Sequence, residues 1–276
     1  MDYLEIKAPA KINIGLFITS KRPDGYHNLQ TIFYPINDLY DEISFTRCSS
    51  SDFSSNDKSI EADNLIIKAK ELLERQSNKQ LNVRIELKKN IPIGAGMGGG
   101  SSDAAAALIS LNEMFNLNFT VEMLRKFALS LGSDVPFFIK PKPSFAESRG
   151  EDLTLLNLDI PYPILIVNPK IHISTKEAYS NITPRTPRFD LREIEGINLN
   201  NPDELINNIT NDFEEYVFNK YPEIEQIKDS LYRCGARFAL MTGSGSTVFG
   251  IFSTVEEAER ARNNFPMQYF THISLE

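Results

Sequence analysis

The sequence predicts an α+β protein of two lobes. Two observations carry that expectation. At 276 residues the chain exceeds the usual size of one compact core. Strand-like and helix-like segments also alternate irregularly rather than as repeated strand and helix units. The composition, 41% hydrophobic and 24% charged, is that of an ordinary globular protein rather than a fibrous or disordered one. No apolar run reaches bilayer-spanning length. The N-terminus MDYLEIKAPAKINIG lacks the uninterrupted apolar core of a signal peptide, so no membrane partner and a cytoplasmic location are expected. The net charge of -8 disfavours a phosphate-backbone footprint and hence a nucleic-acid partner. Cys48 and Cys234 lack zinc or redox spacing and read as reduced thiols.

The first half opens with strand-like YLEIKA and KINIGLFITS, a turn at Pro23, Asp24 and Gly25, then strand-like LQTIFYPI and DEISFTRC. Residues 48–59, rich in Ser, Asp and Asn, show no periodicity and read as a mobile loop. ADNLIIKAKELLERQSN is a helix capped by Asp63 or Asn64. LNVRIELKKNI alternates Leu81, Val83, Ile85 and Leu87 as a half-buried strand. A helix starts at or near Ser101, and TVEMLRKFALSLG is another, opened by Thr120 and closed by Gly132. SDVPFFI then reads as an apolar strand.

The second half follows a loop around SRGEDLTLLNLDIP. PILIVNP is a buried strand, and Pro184 and Pro187 mark a connecting loop. Helical patterns cover 202–219 and 222–234; strand-like RFALMTG and STVFGIF flank a second glycine cluster, and VEEAERARNNF is a final helix.

Between the strand ending near Lys88 and the helix near Ser101 lies IPIGAGMGGGSS, with glycine at five of the seven positions 94–100. Glycine loses much backbone freedom on folding, so such a run is a liability unless a ligand offsets it. A strand, a glycine-rich turn and a helix start suit a phosphate: amides point inward, absent Cβ atoms permit close approach, and the helix dipole adds positive charge. The loop lacks GxxxxGK[ST], which sets it apart from the P-loop NTPases. A dinucleotide fingerprint through Gly94, Gly96 and Gly99 lacks its acidic residue at the end of a second parallel strand.

The segment PIGAGMGGGSSDAAA resembles the ATP-binding motif of the GHMP kinases, with Ala95 and Met97 in place of a frequent glycine and leucine. APAKINIGL and MTGSGSTVFG resemble that family's other two motifs, in the same order. The resemblance implies an N-terminal ribosomal-protein-S5-like ATP-binding lobe over 1–155, a ferredoxin-like substrate lobe over 156–276, and a cleft between them. It implies an ATP-dependent small-molecule kinase using Mg²⁺, acting as a monomer or weak homodimer. ATP would lie on Pro92, Gly94, Ala95, Gly96, Met97, Gly98, Gly99, Gly100, Ser101 and Ser102. The two serines read either as helix caps or as a hydroxyl ligand to Mg²⁺.

Phosphoryl transfer needs positioning, charge neutralisation and a group to take the acceptor's proton. By position alone Asp134 is a helix cap or a functional carboxylate, and Lys11 a solvated strand-edge charge. The resemblance makes Asp134 the general base and Lys11 its partner. Asn13 shares a strand face with Lys11. Within the family, the DGYH segment is similar to members whose acceptor carries cytidine diphosphate. Tyr26 would then stack on the base, His27 hydrogen-bond to it and Tyr179 close its other side, while Gly243, Ser244 and Gly245 would lie near the substrate phosphates or the acceptor. His172 and His272 read as structural.

Overall fold

The computed structural model describes residues 2–61, 64–187, 189–194 and 202–275. The chain divides into two compact units. One gathers the N-terminal stretch up to Ala10, Leu39–Ile93 and Gly98–Pro141; the other gathers Lys11–Asp38, Gly94–Met97 and the chain from Lys142 on. The strands β1 (Tyr3–Lys21) and β2 (His27–Arg47) pair with each other and contribute residues to both units.

Each of these strands replaces two shorter ones expected from the sequence. β2 runs straight through Asn37 and Asp38 because distant groups hold Asp38 there: its carboxylate bonds His272 Nε2 at 3.1 Å and the Leu275 N–H at 3.3 Å. A local reading sees a polar pair and infers a turn.

In the first unit, β2 pairs antiparallel with β4 (Val83–Lys88), and β3 (Asp52–Ser55) pairs parallel with β4. The 48–59 segment is therefore not the unstructured loop its composition suggests. Four ladder residues are too few to show a period, and a 3₁₀ turn at Lys58–Ile60 follows, capped by Asp57. Helix α1 (Leu65–Ser77) is capped by Asn64, whose side chain accepts the Ile66 N–H; the alternative cap, Asp63, lies outside the described residues. Strand β4 buries Val83, Ile85 and Leu87 and exposes the residues between them, as the alternation predicts. Helix α2 (Gly99–Met114) packs against α1, with Ser102 through Leu108 all buried. The four alanines Ala104–Ala107 supply the small side chains that let a neighbouring helix approach closely. Helix α3 (Val121–Leu131) has Thr120 and Gly132 as its caps. Val135–Phe138, expected as a strand, is one buried helical turn, α4, with proline in its first turn. A four-residue apolar run fits either state, and Pro136 near the helix start favours the helix.

In the second unit, β5 (Ser144–Glu147) pairs antiparallel with the Thr31–Phe33 part of β2, and β6 (Asp152–Leu155) returns beside β5. The sequence reading treats the turn and β6 of this hairpin as loop; the turn takes left-handed backbone at Ser148 and Gly150. The remaining elements are β7 (Ile164–Asn168), α5 (Thr175–Ser180), α6 (Pro202–Asn208), α7 (Glu214–Lys220), α8 (Pro222–Arg233), β8 (Phe238–Met241), β9 (Val248–Ile251), α9 (Val255–Arg262) and β10 (Phe270–Ser274). The sheet order is β10-β7-β9-β8, antiparallel throughout. Ile224, Ile227 and Leu231 of α8 and Ala258 and Ala261 of α9 pack with Leu165, Val167, Met241 and Val248 of this sheet in one core.

The single helix expected over 202–219 is interrupted at Asn211. Its Nδ2 donates to Met241 O at 2.7 Å and Gly243 O at 2.8 Å, and its Oδ1 accepts the Phe213 N–H. Those bonds leave the local helix for a long-range anchor.

Candidate active site

The glycine loop alternates backbone states. Gly94, Gly96 and Gly98 have φ of 64°, 78° and 72°, in the left-handed region that favours glycine, while the side chains of Ala95 and Met97 are buried. Gly94–Met97 belong to the second unit and Gly98–Gly100 to the first. Gly98 is the N-cap of α2 and has no side chain to satisfy the helix's first N–H groups. The first main-chain bond here, Ser102 N to Gly98 O, is 2.9 Å, so the amides of Gly99, Gly100 and Ser101 precede the helix ladder. Neither Ser101 nor Ser102 is a cap, which removes one of the two sequence readings of these serines. Ser102 Oγ is buried without a hydrogen-bond partner among the described residues, an orphaned hydroxyl in the first turn.

The second glycine cluster meets the first. A Cβ at Gly96 would lie 2.3 Å from Thr242 O and 3.1 Å from Gly245 O; one at Gly243 would lie 3.0 Å from Gly96 O. Backbone packs on backbone here, so glycine is required by approach as well as by φ. Ser244 Oγ bonds Thr175 Oγ1 at 3.0 Å. His172 approaches the loop too: its Nδ1 is 3.0 Å from where a Gly94 Cβ would stand. The sequence gives His172 no such place.

Lys11 is not the solvated strand-edge charge that residue statistics favour; it is 3% exposed. Its backbone N–H donates to Met97 O at 3.0 Å, which ties β1 to the loop. Its Nζ donates to Gly96 O at 3.1 Å and to Asn13 Oδ1, and stands 5.1 Å from the Phe33 ring centroid. Asn13 shares the face with Lys11 as strand alternation requires, and its Nδ2 donates to Thr31 Oγ1 at 2.9 Å. Asp134 is half-buried at the N-cap position of α4, yet its side chain makes no capping bond. The cap reading of this carboxylate is therefore not realised at α4.

Under Gly99 lies a cluster that the sequence reading missed. Lys89 Nζ bonds Asp41 and, at 2.8 Å, Asp103 Oδ2, all three side chains being buried. Asp41 Oδ1 also accepts the N–H groups of Asn90 and Ile91 at 2.7 and 2.9 Å, fixing the chain that enters the glycine loop. Burial pushes the Asp103 carboxyl up to about 7, helped by the Asp41 carboxylate and opposed by Lys89. Burial works against the Lys89 charge, but Asp103 and Asp41 outweigh it and raise that ammonium above its usual range.

The aromatic residues form a second group. His27, buried, stacks on Tyr179 with centroids 5.2 Å apart, and Phe213 meets Tyr179 edge-on at 4.9 Å. Burial, and then the charge of Lys21, hold the His27 imidazole below its ordinary value. Tyr26 is exposed, with the Arg149 guanidinium 4.9 Å from its ring centroid.

Two family profiles match this chain: GHMP kinases N terminal domain over residues 64–141 and GHMP kinases C terminal over residues 193–269. The chain belongs to the GHMP kinase family. A 4-diphosphocytidyl-2-C-methyl-D-erythritol kinase of Bacteroides fragilis is 47% identical over 257 residues, covering 90% of this chain and 92% of that protein. One of Prosthecochloris aestuarii, of the same name, is 41% identical over 276 residues, covering 98% of this chain and 96% of that protein. Among GHMP kinases of known structure, a 4-(cytidine 5'-diphospho)-2C-methyl-D-erythritol kinase superposes with a TM-score of 0.82 at 32% identity, covering 98% of both chains. A homoserine kinase from Cytophaga hutchinsonii, 16% identical with a TM-score of 0.72 over 99% of this chain and 95% of that one, shares the fold. The α+β architecture of this chain is thus that of the GHMP kinases.

Proposed function

We propose that this chain transfers the γ-phosphoryl group of ATP to the 2-hydroxyl of 4-diphosphocytidyl-2-C-methyl-D-erythritol, the reaction implied by its relatives' name. The observation that carries the kinase chemistry is Lys11, a buried ammonium hydrogen-bonded to a carbonyl of the glycine loop itself. A cation held there neutralises charge developing on the transferring phosphoryl oxygens without reorganising. ATP phosphates take amides between Gly94 and Ser101, with Ser102 offering its hydroxyl and Pro92, Ala95 and Met97 shaping the loop. Asp134 takes the proton of the acceptor hydroxyl as general base, and Lys11 favours its ionised form.

Mg²⁺ fits the first turn of α2, where the orphaned Ser102 hydroxyl, with Ser101 beside it, offers a hard oxygen ligand. Bound there with ATP, the ion supplies charge neutralisation at the phosphates.

Cytosine stacks on Tyr26 and forms hydrogen bonds with His27, whose neutral ring offers one donor and one acceptor and is backed by Tyr179. Gly243, Ser244 and Gly245 line the acceptor, and Asn13 holds Lys11 in place. The division near residue 155 into ATP-binding and substrate lobes is supported by the two family profiles, which fall on either side of it. The monomeric or weakly dimeric cytoplasmic enzyme expected from the sequence belongs to the same reading. Among the described residues no helix is long and apolar enough to cross a membrane.

Substrate class and base assignment are tested together. Free CDP should inhibit competitively against the acceptor, and Asp134→Asn should abolish turnover while ATP affinity stays nearly unchanged. Absence of CDP inhibition would void the cytidine pocket, and normal turnover by Asp134→Asn would remove the base.

A further inference from the structure

Thr242, the residue after β8, is fully buried and joins the Lys11 strand to the glycine loop. Its Oγ1 accepts the Asn13 N–H at 2.9 Å. The same oxygen lies 3.2 Å from Asn13 Oδ1 and 3.3 Å from Gly96 O. Those two oxygens are the ones that accept from Lys11 Nζ. Lys11 Nζ, Asn13 Oδ1, Thr242 Oγ1 and Gly96 O therefore close a ring of hydrogen-bonding atoms, with two residues from β1, one from the glycine loop and one just after β8. A hydroxyl carries one proton, so Thr242 donates to one of the two acceptors at a time while the ammonium serves both.

The hydroxyl is itself held by its backbone. Thr242 N donates to Thr247 O at 2.9 Å and Gly245 N donates to Thr242 O at 3.1 Å, which closes the 242–247 turn against Gly96. Removing the hydroxyl leaves the Asn13 N–H without this acceptor in a buried setting and takes one of its two partners from Asn13 Oδ1, whose amide stays tied to Thr31 through Nδ2. Both oxygens that accept from Lys11 Nζ are then held by one partner fewer, which loosens the distance of the ammonium from the loop. Geometry of this kind matters for phosphoryl transfer, where positioning supplies much of the rate.

We propose that Thr242 is a positioning residue for the transfer step: its hydroxyl fixes Lys11 Nζ relative to the glycine loop. The proposal rests on the reading that Lys11 acts at the transferring phosphoryl group. Its signature is a loss in kcat, because an ill-placed ammonium fails the transition state while the loop amides still bind ATP.

The test compares Thr242→Val, which keeps the shape and removes the hydroxyl, with Thr242→Ser, which keeps the hydroxyl, both assayed well below their melting temperatures. Thr242→Val should lose about ten- to a hundredfold in kcat, with KM for ATP and for the acceptor within about threefold of the parent. Thr242→Ser should recover most of that loss. In a Lys11→Met background Thr242→Val should cost nothing further, since residues acting as a unit are non-additive. If Thr242→Val does not fold, Thr242→Ala replaces it in both comparisons. Parental kcat in the variant lacking the hydroxyl, equal slowing by Thr242→Ser, or losses that multiply in the double variant would each overturn the proposal. Failure of the underlying reading shows differently: Lys11→Met alone would then turn over at the parental rate.

Discussion

His27 and Tyr179 lie face to face, centroids 5.2 Å apart and planes inclined by 25°. A base held between two rings needs them about 7 Å apart, twice the ~3.5 Å contact distance of carbon atoms. The pair is therefore one wall, and Tyr26, 56% exposed with Arg149 beside it, is the ring with surface left for a base. Tyr26→Ala should raise the KM for the cytidine substrate by about 5- to 150-fold, the equivalent of 1–3 kcal/mol of stacking. Steady-state kinetics with each substrate varied in turn checks this, and KM for ATP should not move.

The depressed His27 basicity sets a pH dependence. A neutral imidazole offers one donor and one acceptor, and protonation removes the acceptor. CDP inhibition should be level from pH 8 down to about 6.5, the ordinary histidine value, and weaken only below it. His27→Gln should flatten the profile. An inflection above pH 7 in the parent would contradict the buried, neutral histidine.

Gly96 and Gly100 make an internal contrast. A side chain at Gly96 meets two backbone oxygens and a positive φ, whereas one at Gly100 finds only Leu65 at 3.9 Å. Gly96→Ala should cost about 1–3 kcal/mol or more in stability and raise KM for ATP. Gly100→Ala, in the first turn of a helix, should be neutral or stabilising by up to about 1 kcal/mol. Thermal melts and ATP titration of the two variants decide it.

Asp103 predicts how stability follows pH. Its carboxyl is pushed up to about 7 in the fold, against an ordinary aspartate value near 3.8. The folded state holds the proton longer, so this contribution is complete below about pH 4 and is lost as pH rises through about 7. The slope in that window is at most about 1.4 kcal/mol per pH unit. Denaturant melts between pH 5 and 8 should show it, and Asp103→Asn should make the change shallower.

The strand, glycine turn and helix of the candidate phosphate site were legible because each signal is local: alternation at Val83, Ile85 and Leu87, the glycines at 94–100, and the alanines of α2. The same holds for caps such as Asn64 and Thr120. What escaped the sequence depends on partners far along the chain. Asp38 stays in a strand through His272, and Asn211 breaks a helix to reach Met241. Lys11 could be placed on a strand but not buried, because its acceptor Gly96 is 85 residues away. Lys89 lies in a pair of lysines that reads as solvated surface, and only the fold sets Asp41 and Asp103 beside it.

The most direct measurement is ATP-dependent phosphorylation by the purified protein, with Mg²⁺, of 4-diphosphocytidyl-2-C-methyl-D-erythritol beside mevalonate, homoserine and galactose. Turnover of the cytidine substrate alone is the expected result. Turnover of one of the other three in its place, or of none, would contradict the account.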